Sequence, residues 1–218
     1  MKKIMFNDRY GLTQAVIEGR KTMTRRIEPI CKLVQGWIDL GYTRIEVLKN
    51  GIVRFHNDKT GTYVEEKTRY AIDEVVAVAQ SYNDAGYECI PYRDTDEYLW
   101  LLRDGKAVNG VSITPVCETN KMFTRADLMP HQIRITDIRI ERLQDISDED
   151  CLREGVRYIK YIDSYYFERT DREEGFYFNT AREAFAALID KVSGRGTWKS
   201  NPYVVVYEFK LVKYRDSR

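Results

Sequence analysis

The stretch NPYVVVYEFKLVKY, residues 201–214, does most to limit what this chain can fold into. Its β-branched and aromatic residues carry strong strand propensity, and Pro202 stands at its start, where a missing amide costs least. A sheet must therefore form around a long late strand. Three further segments read as strands. TRIEVLKNGIVRFHN, residues 43–57, is two alternating runs around Asn50 and Gly51, a dipeptide suited to a two-residue hairpin turn. DEVVAVAQSY, from Asp73, groups apolar β-formers as a mostly buried strand does. In HQIRITDIRIERLQDI, Ile133 and Ile135 alternate, then Ile138 and Ile140 do so after a one-residue slip at Thr136 and Asp137, which predicts a bulged or bent strand.

Helix signals are short. In NDRYGLTQAVIEG the apolar Leu12, Val16 and Ile17 fall at helical spacing and Gly19 sits where a left-handed cap ends a helix. Ser147 and Asp150 form a capping box in ISDEDCLREG, closed by Gly155. Thr180 and Glu183 repeat that logic, with Phe185, Leu188, Ile189 and Val192 as a buried stripe. Few short helices and long, non-consecutive strands predict an α+β fold on a curved sheet or small barrel, with no βαβ units. Residues 84–129 mix Gly, Pro and Asp with one short apolar run and read as a loop-rich insertion, with one short helix, in a single domain spanning residues 1–218. The aromatic-rich segment 157–178 reads as a hairpin or a mobile flap.

Charge excludes one class of function. With 35 basic and 34 acidic side chains the net charge is +1, so nucleic-acid binding has to rest on a local patch. Cys31, Cys89, Cys117 and Cys151 form no CxxC pair, which argues against zinc. His56 and His131 adjoin no nucleophile motif, and Cys151 reads as a core residue before it reads as a nucleophile. Walker A and GxGxxG motifs are absent, so no cofactor is predicted. Without a signal-length apolar run, the expectation is a soluble, cytoplasmic protein with no membrane partner.

Three local signals remain: EGRKTMTRR at 18–26, IERLQDISDEDCLREGV at 140–156 and GTWKSNPYVVVYEFKLV at 196–212. In this order they resemble the ASCH domain, in the larger form frequent in phage and bacterial genomes. The resemblance implies a PUA-like β-barrel with flanking helices and RNA or a modified nucleoside as ligand. Some shorter members are amidohydrolases that deacylate N4-acetylcytidine, and their functional residues fall here on Lys21, Thr24 and Glu154. On that pattern Thr24 attacks the amide carbonyl, Lys21 takes its proton if burial lowers the amine's pKa, and Glu154 orients the lysine or protonates the leaving amine. Two departures stand out: the usual Gly-Asp pair is replaced by Ile72 and Asp73, and Ala79 and Gln80 stand where Arg-Glu is usual.

Two functions of different class follow. One is a binding module whose cleft is rimmed by Lys21, Arg25 and Arg26, with Arg20, Trp198 and Asn201 as further ligand contacts. Trp198 and Asn201 have an alternative reading as pins of the loop before the last strand. The other function is the amidohydrolase, which requires Lys21 and Thr24 to share a pocket although side chains three apart on a plain strand face opposite ways. On either reading, Lys21→Ala is expected to abolish function with little change in Tm.

Overall fold

The computed structural model describes residues 1–92 and 95–212, without the side chains of residues 92, 95–97 and 117. The first half of the chain holds β1 (Lys3–Ile4), α1 (Leu12–Ile17), β2 (Met23–Arg26), α2 (Cys31–Asp39), β3 (Arg44–Val47), β4 (Ile52–Asn57), β5 (Thr62–Lys67), β6 (Val75–Val78), β7 (Glu88–Tyr92), β8 (Thr95–Arg103) and β9 (Lys106–Ile113). The second half holds α3 (Pro115–Thr119), β10 (Gln132–Arg142), α4 (Asp148–Arg153), β11 (Arg157–Ile159), β12 (Ser164–Arg169), β13 (Glu174–Phe178), α5 (Ala181–Ser193), α6 (Thr197–Ser200) and β14 (Tyr203–Val212). The fold is mixed α+β, with several sheets and short helices. Among the described residues the strands form open sheets, and the closed barrel expected from the sequence is not seen.

Two compact units share the chain: one comprises Met1–Phe6, Val75–Ile133 and the chain from Val212, the other Asn7–Glu74 and Arg134–Leu211. In the smaller unit β1 runs parallel to β6, and β7, β8 and β9 form an antiparallel meander. Tyr82, Leu101, Ile113 and Met129 are buried together in its core. The loop-rich reading of residues 84–129 is thus corrected to a three-stranded sheet plus the short helix α3. Asp104 and Gly105, at φ 54 and 72, make the left-handed two-residue turn that joins β8 to β9. Alternation is hard to read there because the register shifts at Pro91/Tyr92 and again between Trp100 and Leu102.

The larger unit is built around β14, which lies between β10 and β2. Val204 to Tyr207 are all buried, as a strand covered on both faces requires. The slip in β10 appears as two successive exposed residues, Thr136 and Asp137, within one continuous strand. Caps fall where predicted: the Ser147 and Thr180 side chains accept from the amides of Asp150 and Glu183, and Gly19 takes φ 74 after α1. The α5 stripe is shorter than expected, since Val192 is exposed. The aromatic segment 157–178 is neither a single hairpin nor a bare flap, because β11, β12 and β13 pair as a three-stranded sheet.

The hairpin of β3 and β4 also holds, with a longer turn. Gly51 N–H donates to Leu48 O at 2.9 Å and Leu48 N–H to Ile52 O at 2.8 Å, so Lys49 to Gly51 form a three-residue loop in which Gly51 is left-handed at φ 79. Any Cβ on Gly51 would lie 2.7 Å from Tyr70 O and 2.9 Å from Thr68 Oγ1, whereas one on Gly61, also left-handed, meets nothing within 4 Å. Gly61→Ala should therefore cost about 1 kcal/mol. Gly51→Ala adds a backbone collision to that strain and should cost about 3 kcal/mol or more, read as a larger loss in urea-unfolding midpoint. Equal midpoints for the two variants would contradict this loop geometry.

Candidate functional site

The site lies wholly in the larger unit and is organised by β2. Its pairing with β14 sets Thr24 opposite Tyr207, Arg25 opposite Val206 and Met23 opposite Glu208. Alternation along β2 then gives Met23 and Arg25 one face, Thr24 and Arg26 the other. Lys21, bonded through its N–H to Ala15 O as the chain leaves α1, reaches the Arg25 side.

On that side lies a buried ion pair. Lys21 and Glu154 are 2 % and 5 % exposed, and Lys21 Nζ donates to Glu154 Oε2 at 2.5 Å and to its backbone carbonyl at 2.7 Å. Glu154 stands at the C-cap of α4, where a helix dipole gives a carboxylate no support. Its second oxygen accepts from Arg25 Nη1 at 3.3 Å. Arg25 also donates to Glu141 Oε1 (2.6 and 3.1 Å), Asp150 Oδ2 (3.0 Å) and Met23 Sδ (3.1 Å). Arg139 then joins Glu141 (3.0 Å), Asp150 (2.8 Å) and Glu208, and Arg153 joins Glu208 (2.7 Å), Asp150 (3.3 Å) and Thr22 Oγ1 (3.2 Å). Four cations thus alternate with four carboxylates. The inner pair is closed to water, while Arg139 and Arg153 at its outer edge are about one-third exposed.

Electrostatics follow from depth. Burial lowers the pKa of Lys21, and the adjacent Glu154 only partly offsets that. Near the surface the balance reverses, and the hydrogen bond from Arg153 holds Glu208 below its usual carboxylate value. Burial also removes the ground for expecting Lys21→Ala to spare Tm.

The opposite face of β2 carries a second polar cluster. Tyr207 Oη donates to Glu28 Oε1 at 2.7 Å, and the Arg69 amide donates to Glu28 Oε2 at 2.9 Å. Desolvation lowers the pKa of Arg26 here, with Tyr70 acting against it. Thr24 is buried on this face, and among the described residues no hydrogen bond joins it to Lys21 or Glu154. The structure therefore brings Lys21, Arg25 and Glu154 together and sets Thr24 apart from them.

The other predicted residues have local tasks. Arg20 pairs with Glu18 at 2.6 Å on the surface. Trp198 packs edge-on to Phe185 under the Arg182 guanidinium, and its amide donates to Asp190 Oδ1 at 2.7 Å. Asn201, left-handed at φ 43, accepts from the Gln144 amide at 2.8 Å. Both pin the loop before β14. Cys151 is fully buried and its thiol is pushed up to about 12, mainly by desolvation, which leaves no thiolate to act as a nucleophile near pH 7.

Sequence reasoning missed Glu141, Asp150, Arg139, Arg153 and Glu208. Two signals pointed to them: Arg139 and Glu141 are two apart on one strand face, and Glu208 is a lone acid in an apolar strand. Among the described residues no His, Cys, Asp and Glu group is placed to hold a metal ion, and no helix is long and apolar enough to cross a membrane. Comparison with known protein families, with curated proteins and with solved structures gives no match for this chain.

Proposed function

We propose that the protein binds RNA bases or a modified nucleoside against the outer edge of the Lys21–Arg25–Glu154 network, where Arg139 and Arg153 are about one-third exposed. The observation that carries this is the inner ion pair itself, 2 % and 5 % exposed. Burying a lysine and a glutamate costs more desolvation than an apolar pair of the same volume, so stability alone gives weak reason to keep it. Charge decides what kind of contact the site makes. Four cations balanced by four carboxylates leave no surplus to neutralise a phosphate backbone, which favours a base or ribose over a long nucleic acid. The resemblance to ASCH domains supports the same ligand class. An N4-acetylcytidine amidohydrolase is the second reading, favoured by the lowered pKa of Lys21, but it needs Thr24 to cross from the other face of β2.

The test is calorimetric titration of N4-acetylcytidine and cytidine into the protein and into the double variant Lys21→Met/Glu154→Gln, with turnover assayed in the same samples. The double variant removes both charges at nearly constant volume, so it should stay folded with a Tm close to that of the parent. Saturable binding by the parent, at least about tenfold weaker in the variant, is expected. Undiminished binding in a folded variant would refute the assignment, and deacylation lost in Thr24→Val would move it to the enzyme.

A further inference from the structure

The three-stranded sheet of β11, β12 and β13 has one face turned to the core, where Phe167 is buried and packs edge-on to Tyr10. Its other face carries a cross-strand row. Register places Arg157 opposite Tyr166 and Tyr166 opposite Tyr177, so the three side chains stand side by side across the sheet. The two tyrosine rings are nearly parallel, 18° apart with centroids at 5.8 Å, and Tyr177 is 59 % exposed. Arg157 flanks Tyr166, donating to its hydroxyl at 3.1 Å and pairing with Glu168 at 3.3 Å.

Gly175 shapes this row. A Cβ there would lie 2.9 to 3.1 Å from three atoms of the Tyr177 side chain, so the ring lies along its own strand over the glycine and presents a flat face outward. Beside it opens a cleft of about 360 Å³ lined by Tyr166, Tyr177, Glu168 and Glu173, while Glu174, also in the lining, stands opposite Arg169 in the register of β12 and β13. Arg169, the cation in that lining, is held by Asp171 through two hydrogen bonds of 2.6 and 3.1 Å.

Electron-rich ring faces beside carboxylates attract a flat cation and repel a phosphate. We propose that this face docks an arginine side chain of a partner polypeptide, its guanidinium stacked on Tyr177 and its N–H groups donated to Glu173. The site is separate from the Lys21 cluster and does not depend on its function.

The test is an NMR titration of the whole chain with acetyl-Gly-Arg-Gly-amide, following the Tyr177 ring signals. Matched peptides carry citrulline, which keeps the shape without the charge, or lysine, which keeps the charge without the plane. A saturable shift with arginine, at least about tenfold weaker with citrulline and abolished in Tyr177→Ala, is expected. Because Tyr177 is mostly exposed, that variant should keep its Tm. Equal response to citrulline and arginine, or no saturation with arginine, would overturn the proposal. Preferential perturbation of Tyr177 by a short oligouridylate would overturn it in favour of a base-stacking platform. Glu173→Gln provides a second check and should weaken arginine while leaving citrulline unchanged.

Discussion

Glu154→Ala is expected to destabilise the protein by about 3–5 kcal/mol, because it leaves the Lys21 ammonium buried without its carboxylate. Lys21 cannot turn to water from a position 2 % exposed. The Glu154 backbone carbonyl, 2.7 Å away, accepts from the ammonium but carries no charge to balance it. Charge separation rather than lost contacts sets the size of the effect. The double variant Lys21→Met/Glu154→Gln should therefore recover most of it, so the two changes are strongly non-additive. Urea unfolding of Lys21→Met, Glu154→Gln and the double variant measures the coupling directly. A Glu154→Ala cost below about 1 kcal/mol would mean that water reaches the pair.

Arg25→Met should have an effect of similar size, about 3–5 kcal/mol, since one side chain that is 1 % exposed serves Glu141, Asp150 and Glu154 together. Arg139→Met removes ion pairs to Asp137, Glu141, Asp150 and Glu208, no fewer, yet should cost only about 1 kcal/mol. Arg139 is one-third exposed, so water takes over part of what it provides. Unfolding midpoints rank the two. The reverse order would show that contact number outweighs depth in this network.

Local chemistry in the sequence was enough to place the caps at Ser147 and Thr180, the glycine stop at Gly19 and the long strand β14, since each depends on residues a few positions apart. The β8–β9 turn at Asp104 and Gly105 is equally local but escaped notice, because register shifts on both sides of Trp100 break the alternation that would frame it. The site was half legible. Lys21, Thr24 and Glu154 were all assigned through the ASCH resemblance, and the fold brings Lys21 and Glu154 together. The two-residue period of β2 turns Thr24 to the Tyr207 side instead. The meeting of Arg25 with Glu141 and Asp150 was not legible: they lie 116 and 125 residues further along the chain, and no local pattern in EGRKTMTRR encodes those neighbours.

The division of the chain between its two units has a consequence for synthesis. Residues 7–74 belong with 134–211, so the larger unit is made in two instalments with the bulk of the smaller one in between. Lys21 leaves the ribosome 133 residues ahead of Glu154, and Arg25 precedes it by 129. At about 5–20 residues per second that is a wait on the order of ten seconds. During it, strand β2 has no β14 to pair with and its basic residues lack the carboxylates that later enclose them. The first instalment is thus a solvated, cationic nascent segment. Closure of the site has to wait until β14 has been made.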